Sequence, residues 1–115
     1  MIHDVIITPL KIINDDRGKV MHMLRSDSKV FKKFGEVYFS TIYENKIKGW
    51  HLHKESVLNY TCVTGEVKLV LFDDRLDSPT KNKYQEIILS QKNYALVTIP
   101  PNIWNGFKGI HQDQS

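Results

Sequence analysis

Apolar and polar positions follow the alternating period of β-strands through most of the chain, and the longer period of a helix in one short stretch only. VKLVLF (67–72) is almost unbrokenly apolar, which predicts a strand covered on both faces. LNYTCV (58–63) precedes it, and Thr64-Gly65 between the two predicts a tight hairpin turn. EVYFSTIY (36–43) and YALVTI (94–99) are rich in β-branched and aromatic residues and read as further strands, the second closed by Pro100-Pro101. NDDRGK (14–19) and DDRLDSPT (73–80) carry turn chemistry. SDSKVFKKF (26–34) predicts one short helix, with Ser26 or Asp27 as its N-cap. Short strands at regular spacing, separated by turns, predict an all-β antiparallel barrel or jelly roll with little helix. No repeat or Pro/Gly-rich linker divides the chain, so residues 1–115 are expected to form one domain.

Composition narrows the partners. Of 115 residues, 41% are hydrophobic and 25% charged, ordinary globular usage that excludes a disordered chain. The net charge of +3 is spread over scattered lysines. That pattern gives no nucleic-acid footprint and suits a small anionic ligand. A single cysteine, Cys62, forms no internal disulfide and fits a reducing compartment. The opening MIHDVIITPLKII is too short and too interrupted for a signal peptide or membrane span, so a soluble cytoplasmic protein without a membrane partner is expected.

KGWHLHKES (48–56) carries the most chemistry. On a strand, His51 and His53 would project from one face, as two imidazoles do toward the metal in cupin barrels. That metal pattern continues with a glutamate and, on a later strand, a third histidine. Leu58 and Asn105 (in PPNIWN) stand at those positions, and Glu55 comes too early. His3, His22 and His111 lie in unrelated contexts. Two imidazoles without a further ligand make a weak divalent site, so no metal is expected. Packing is the other plain reading of the pair.

Taken together, KGWH, the turn at Gly65, DDR with SPT after it, and LSQKNYALVTIPPNIWNGF resemble in order and spacing the dTDP-4-dehydrorhamnose 3,5-epimerase family. The N-terminal DDRG is similar to that family's Asp-Glu-Arg-Gly turn, so the resemblance runs from about Asp15 to Phe107. It implies a cupin-type jelly roll, a homodimer, no metal or other cofactor, and a nucleotide-diphosphate-linked 4-keto-6-deoxy sugar as substrate in deoxysugar and surface-polysaccharide synthesis. A proton on the carbon beside a ketone is acidic because the carbanion delocalises into an enolate, and an imidazole is suited to take it near neutral pH.

The histidine of the family's Arg-Gly-Leu-His motif is the base, and His51 holds that position. Lys48 replaces the motif's arginine, keeping a cation for the diphosphate without the bidentate fork. Arg17 matches the substrate-binding arginine of the N-terminal turn. His53 falls where the family has glutamine and Asn105 where it has histidine, and both are expected to line the substrate cavity. The lysine expected to help the enolate falls on Leu58, and the nucleotide-seating glutamate and its aromatic neighbour on His22 and Lys19, so thymidine recognition does not carry over. Tyr60 shares strand parity with Leu58 and is expected to face the cavity as a replacement acid. Family members continue beyond the GF motif with strands that bear a catalytic tyrosine and the aspartate paired with the base. A barrel ending at Ser115 would leave edges bare, which again predicts a homodimer or larger oligomer. The competing reading is a non-catalytic cupin that binds a sugar nucleotide or serves as an assembly partner.

Overall fold

The computed structural model describes residues 1–111, which contain nine strands and no helix. In chain order these are β1 (Ile6–Pro9), β2 (Ile12–Asp15), β3 (Gly18–Met21), β4 (Ile47–Leu52), β5 (Leu58–Tyr60), β6 (Glu66–Asp73), β7 (Tyr84–Leu89), β8 (Ala95–Ile99) and β9 (Ile103–His111). One antiparallel sheet runs β4-β9-β6-β7, a second runs β1-β8-β5, and β2 and β3 form a separate hairpin. This is a cupin-type jelly roll.

The core lies between the two larger sheets. Pairing places Leu69 of β6 opposite Ile87 and Phe107, and Leu71 opposite Asn105. Leu69, Leu71, Ile87, Leu89 and Ile103 bury against Ala95, Val97 and Ile99 of β8, joined by Ile2, Val5 and Cys62. Each large aliphatic side chain so buried contributes about 1.5–3 kcal/mol.

Several expectations change in three dimensions. The strand buried on both faces is β8, all five of whose residues are buried. In β6 burial alternates, because Lys68, Val70 and Phe72 form an outer face that no second layer covers among the described residues. Gly65 does turn the chain, with φ +74°. The strands it joins do not pair, however: β5 bonds to β8, and β6 to β7 and β9. The turn is a corner between sheets, not a hairpin.

The expected helix is also replaced by turns. Ser28 N–H donates to Arg25 O and Phe31 N–H to Ser28 O, while Ser28 Oγ accepts from Arg25 N–H. An Arg25–Asp27 ion pair at 2.9 Å closes the first turn. Short polar side chains have here outcompeted the helical ladder. Residues 36–43 form no strand: the segment meets β4 through the Lys48 side chain and β9 beside Gly109 without building a ladder, and β-propensity alone makes none. Val37, Phe39 and Tyr43 are left 70%, 90% and 81% exposed.

Both turn-rich stretches behave as their chemistry indicates. Asp15 pairs with Gly18 across the β2–β3 turn, and its carboxylate accepts from Arg17 N–H (2.7 Å) and Arg17 Nη2 (3.0 Å). The β6–β7 loop is organised around the fully buried carboxylate of Asp73. Arg75 donates to it through Nε (2.9 Å), Nη2 (3.0 Å) and its backbone N–H (3.1 Å). Ser78 Oγ (2.5 Å) and Thr80 Oγ1 (2.6 Å) complete the shell. Arg75 then reaches Asp4 and the carbonyl of His3, and Thr80 Oγ1 accepts from His3 N–H, so the N-terminal segment is tied to the same node.

Candidate functional site

Pairing of β4 with β9 positions the site. His51 stands directly opposite Asn105, and Lys48 opposite Phe107, with an irregularity between Lys48 and His51. Directly opposite residues share a face. Asn105 is wholly buried and Phe107 packs against the core, whereas His51 and Lys48, on the edge strand β4, are exposed. At the irregularity the two backbones nearly touch. A Cβ on Gly106 would lie 3.1 Å from Gly49 Cα and from Lys48 O, so glycine is needed there for the strands to approach.

Asn105 joins the two sheets. Its Nδ2 donates to the His51 carbonyl at 3.3 Å, and its Oδ1 accepts from Tyr60 Oη at 3.1 Å. Tyr60 comes from β5 in the opposite sheet, and its ring leans on Phe107 with centroids 6.3 Å apart. A buried amide so placed has both polar ends satisfied and fixes one strand and one phenol relative to each other. Burial, and then the nearby Tyr38, push the Tyr60 phenol above the usual tyrosine range. Tyr60 therefore stays protonated at neutral pH and can act as a proton donor. His51 is exposed on the edge strand β4, and its imidazole has no hydrogen-bond or ion-pair partner among the described residues.

The other expected residues are distributed differently. Lys48 Nζ donates to Ser40 Oγ (3.1 Å) and Thr41 O (2.6 Å), holding the irregular 36–43 segment against β4. His53 lies just past the end of β4, where strand alternation no longer aligns it with His51, and its carbonyl accepts from Asn102 N–H at 2.8 Å. Arg17 sits at the β2–β3 turn with its side chain 86% exposed, paired with Asp15, and no described contact links it to the other residues. Among the described residues no group of three or more His, Cys, Asp or Glu side chains is gathered for a metal. Ser40 and Thr41, which the sequence presents only as part of a β-rich stretch, are brought to β4 by the Lys48 tether. No local signal marks them, because the contact depends on how the segment folds back.

Two open clefts lie elsewhere. Trp50, Phe72, Tyr84 and Trp104 line one of about 300 Å³, and Leu52, Arg75 and Leu76 line another of about 310 Å³ that shares Trp104. Phe72 pairs with both Tyr84 and Trp104, which places these rings on the outer face of the four-stranded sheet.

Comparison with known proteins gives a consistent picture. The whole chain, residues 1–115, matches the family model for dTDP-4-dehydrorhamnose 3,5-epimerase. It is 32% identical to a probable low-salt glycan biosynthesis epimerase, Agl13, of Haloferax volcanii, over 99% of this chain and 74% of that protein. Identity to the spore coat polysaccharide biosynthesis protein SpsL of Bacillus subtilis is 31%, over 94% of this chain and 72% of the relative. The crystal structure of a dTDP sugar isomerase from Desulfovibrio desulfuricans superposes with a TM-score of 0.91 at 35% identity, covering 94% of this chain and 69% of that one.

Proposed function

Because the chain belongs to the dTDP-4-dehydrorhamnose 3,5-epimerase family, we propose that it works as a nucleotide-sugar epimerase or isomerase of glycan biosynthesis. Its substrate in this reading is a 4-keto-6-deoxy sugar linked to a nucleoside diphosphate. The supporting observation is the Tyr60–Asn105–His51 link, in which the Asn105 side chain joins the Tyr60 phenol of one sheet to the His51 backbone of the other.

His51 is the base. It takes a proton from the carbon beside the ketone, and the C–H electrons pass into the enolate. Tyr60 returns a proton to the opposite face, which inverts the centre. Lys48 has three N–H donors and uses two bonds on Ser40 and Thr41, leaving one for a diphosphate oxygen. Asn105 and His53 border the sugar. Arg17 contacts the diphosphate only in an assembly that carries its hairpin to a neighbouring site.

A homodimer is part of the proposal. The bare apolar side chains of residues 36–43 and the aromatic outer face of the four-stranded sheet are surfaces that a second copy would cover by two-fold pairing. Sedimentation at micromolar concentration should give twice the chain mass, and a clean monomer would remove this part. A cytoplasmic location is proposed with it, in keeping with the single cysteine. Among the described residues no helix is long and apolar enough to cross a membrane.

The activity is tested by NMR on a small panel of nucleotide-linked 4-keto sugars. The expected product differs from its substrate at one or both carbons flanking the ketone. A protein that is stabilised by these ligands and leaves every stereocentre unchanged would instead be a binding module.

A further inference from the structure

Asn105 is wholly buried, and both ends of its side-chain amide are engaged. One partner, the His51 carbonyl, can only accept a hydrogen bond, so the end that faces it at 3.3 Å is the Nδ2 donor. The other end, Oδ1, can only accept, so the Tyr60 hydroxyl donates to it at 3.1 Å. A backbone carbonyl of β4 thus fixes the direction of the whole chain of bonds. Turning the amide over would set Oδ1 against the His51 carbonyl, two acceptors with no hydrogen between them. Full burial leaves the side chain no solvent-facing alternative.

The order of donor and acceptor matters for the chemistry. A phenol carries one hydrogen, and here Asn105 holds it. Tyr60 therefore meets a bound ligand with its lone pairs, to which no side chain donates among the described residues. To protonate a carbanion the hydroxyl must first leave Oδ1, and the phenolate left behind still faces an acceptor. The ring is not free to swing aside, because it leans on Phe107 with centroids 6.3 Å apart. His51 is under no such restraint. It is exposed on the edge strand, so a proton that its imidazole has taken exchanges with solvent.

We propose that Asn105 is a positioning residue that decides the fate of the enolate: by holding the Tyr60 hydrogen, it favours return to the original configuration over inversion. The inference rests on the epimerase reading, with His51 as base and Tyr60 as acid. Each enolate has two outcomes. In the first, the His51 imidazolium gives a proton back to the face it came from, and the C–H bond re-forms with its configuration kept. In the second, the Tyr60 O–H breaks as the new C–H forms on the opposite face. The phenolate then takes a proton from water, and the imidazolium releases one to water. Either way one proton leaves the sugar and one enters it, so no further reactant is required.

The test follows TDP-4-keto-6-deoxyglucose in deuterium oxide by NMR, comparing deuterium entry with retained configuration against inversion at the same carbon. In the parent protein, entry should exceed inversion about three- to tenfold, the worth of one retained hydrogen bond. Inversion that keeps pace with entry would overturn the inference. Two variants of nearly the same shape should then move the ratio apart. Asn105→Leu removes the acceptor, frees the hydroxyl and should bring the ratio down toward one. Asn105→Asp keeps an oxygen for Tyr60 whatever its charge, and should leave the ratio at or above the parent value. A merely structural role would shift both variants alike, and that result, or an unmoved ratio in Asn105→Leu, overturns the positioning role. Both quantities come from the same folded molecules, so partial unfolding does not alter their ratio. Tyr60→Phe leaves Asn105 on the His51 carbonyl; it must lose inversion and keep entry, and inversion at the parent rate also overturns the role. Failure of the underlying reading looks different: the parent shows no deuterium entry at all, or His51→Ala leaves it intact, and the positioning role falls with it.

Discussion

Asp73→Ala is expected to unfold about 10–20 °C below the parent chain. Its carboxylate is fully buried and takes five hydrogen bonds from Arg75, Ser78 and Thr80. Truncation leaves the Arg75 guanidinium, itself largely buried, without its main partner. Breaking a buried pair from one side costs about 3–5 kcal/mol, a large part of a small domain's stability. At several degrees per kcal/mol this sets the size of the shift, which calorimetry measures directly. The N-terminal segment should loosen with it, because Arg75 and Thr80 also hold His3 and Asp4.

The pH dependence follows from the same node. Burial alone would raise the Asp73 pKa, but hydrogen bonds from Arg75, Ser78 and Thr80 prevail and hold it far below the usual carboxylate range. A depressed pKa in the folded state means the unfolded chain binds the proton first. The stabilisation is therefore complete above the unfolded value of about 3.9 and drains away as pH falls below it. In Asp73→Asn, urea midpoints should lie lower at neutral pH and change less between pH 5 and pH 3 than in the parent. Equal midpoints across that range would remove the electrostatic account of the loop.

His51→Ala should keep the fold and lose the chemistry. The imidazole is exposed and unpartnered among the described residues, so its removal leaves no cavity and strands no buried polar group. Asn105 binds the His51 backbone carbonyl, which alanine retains. Loss of a general base costs about a hundred- to ten-thousandfold in turnover, or about 3–5 kcal/mol of transition-state stabilisation. Melting should move by less than about 1 kcal/mol, as for other surface changes. A variant that keeps more than a tenth of wild-type turnover would assign the base to another group.

The sequence makes the local features plain and hides those set by distant pairing. YALVTI is legible as a strand because its composition and its closing prolines mark it, and the Asp15–Gly18 turn because its residues demand one. LNYTCV and VKLVLF, adjacent and joined at a glycine, look like a hairpin. Only the pairing of β5 with β8 and of β6 with β9, which skips far along the chain, sends them to different sheets. Residues 36–43 have strand composition yet meet β4 and β9 without building a ladder, a case in which propensity alone does not decide. In the site, the motif marks His51 and Asn105 as positions of interest. Their link through Asn105 Nδ2 and on to Tyr60 spans sequence separations of 54 and 45 residues, which no local pattern encodes. The contact of Lys48 with Ser40 and Thr41 stays hidden for a related reason, since it depends on how the segment folds back onto β4.

The most direct trial of this account is a single incubation of the protein with TDP-4-keto-6-deoxyglucose in deuterium oxide, read by proton NMR of the recovered sugar nucleotide. Proton abstraction at the rim of the barrel predicts loss of the signal from a hydrogen flanking the ketone, catalytic in protein and absent with His51→Ala. A sugar nucleotide that binds and stabilises the protein yet is recovered with both of those hydrogens intact would contradict it.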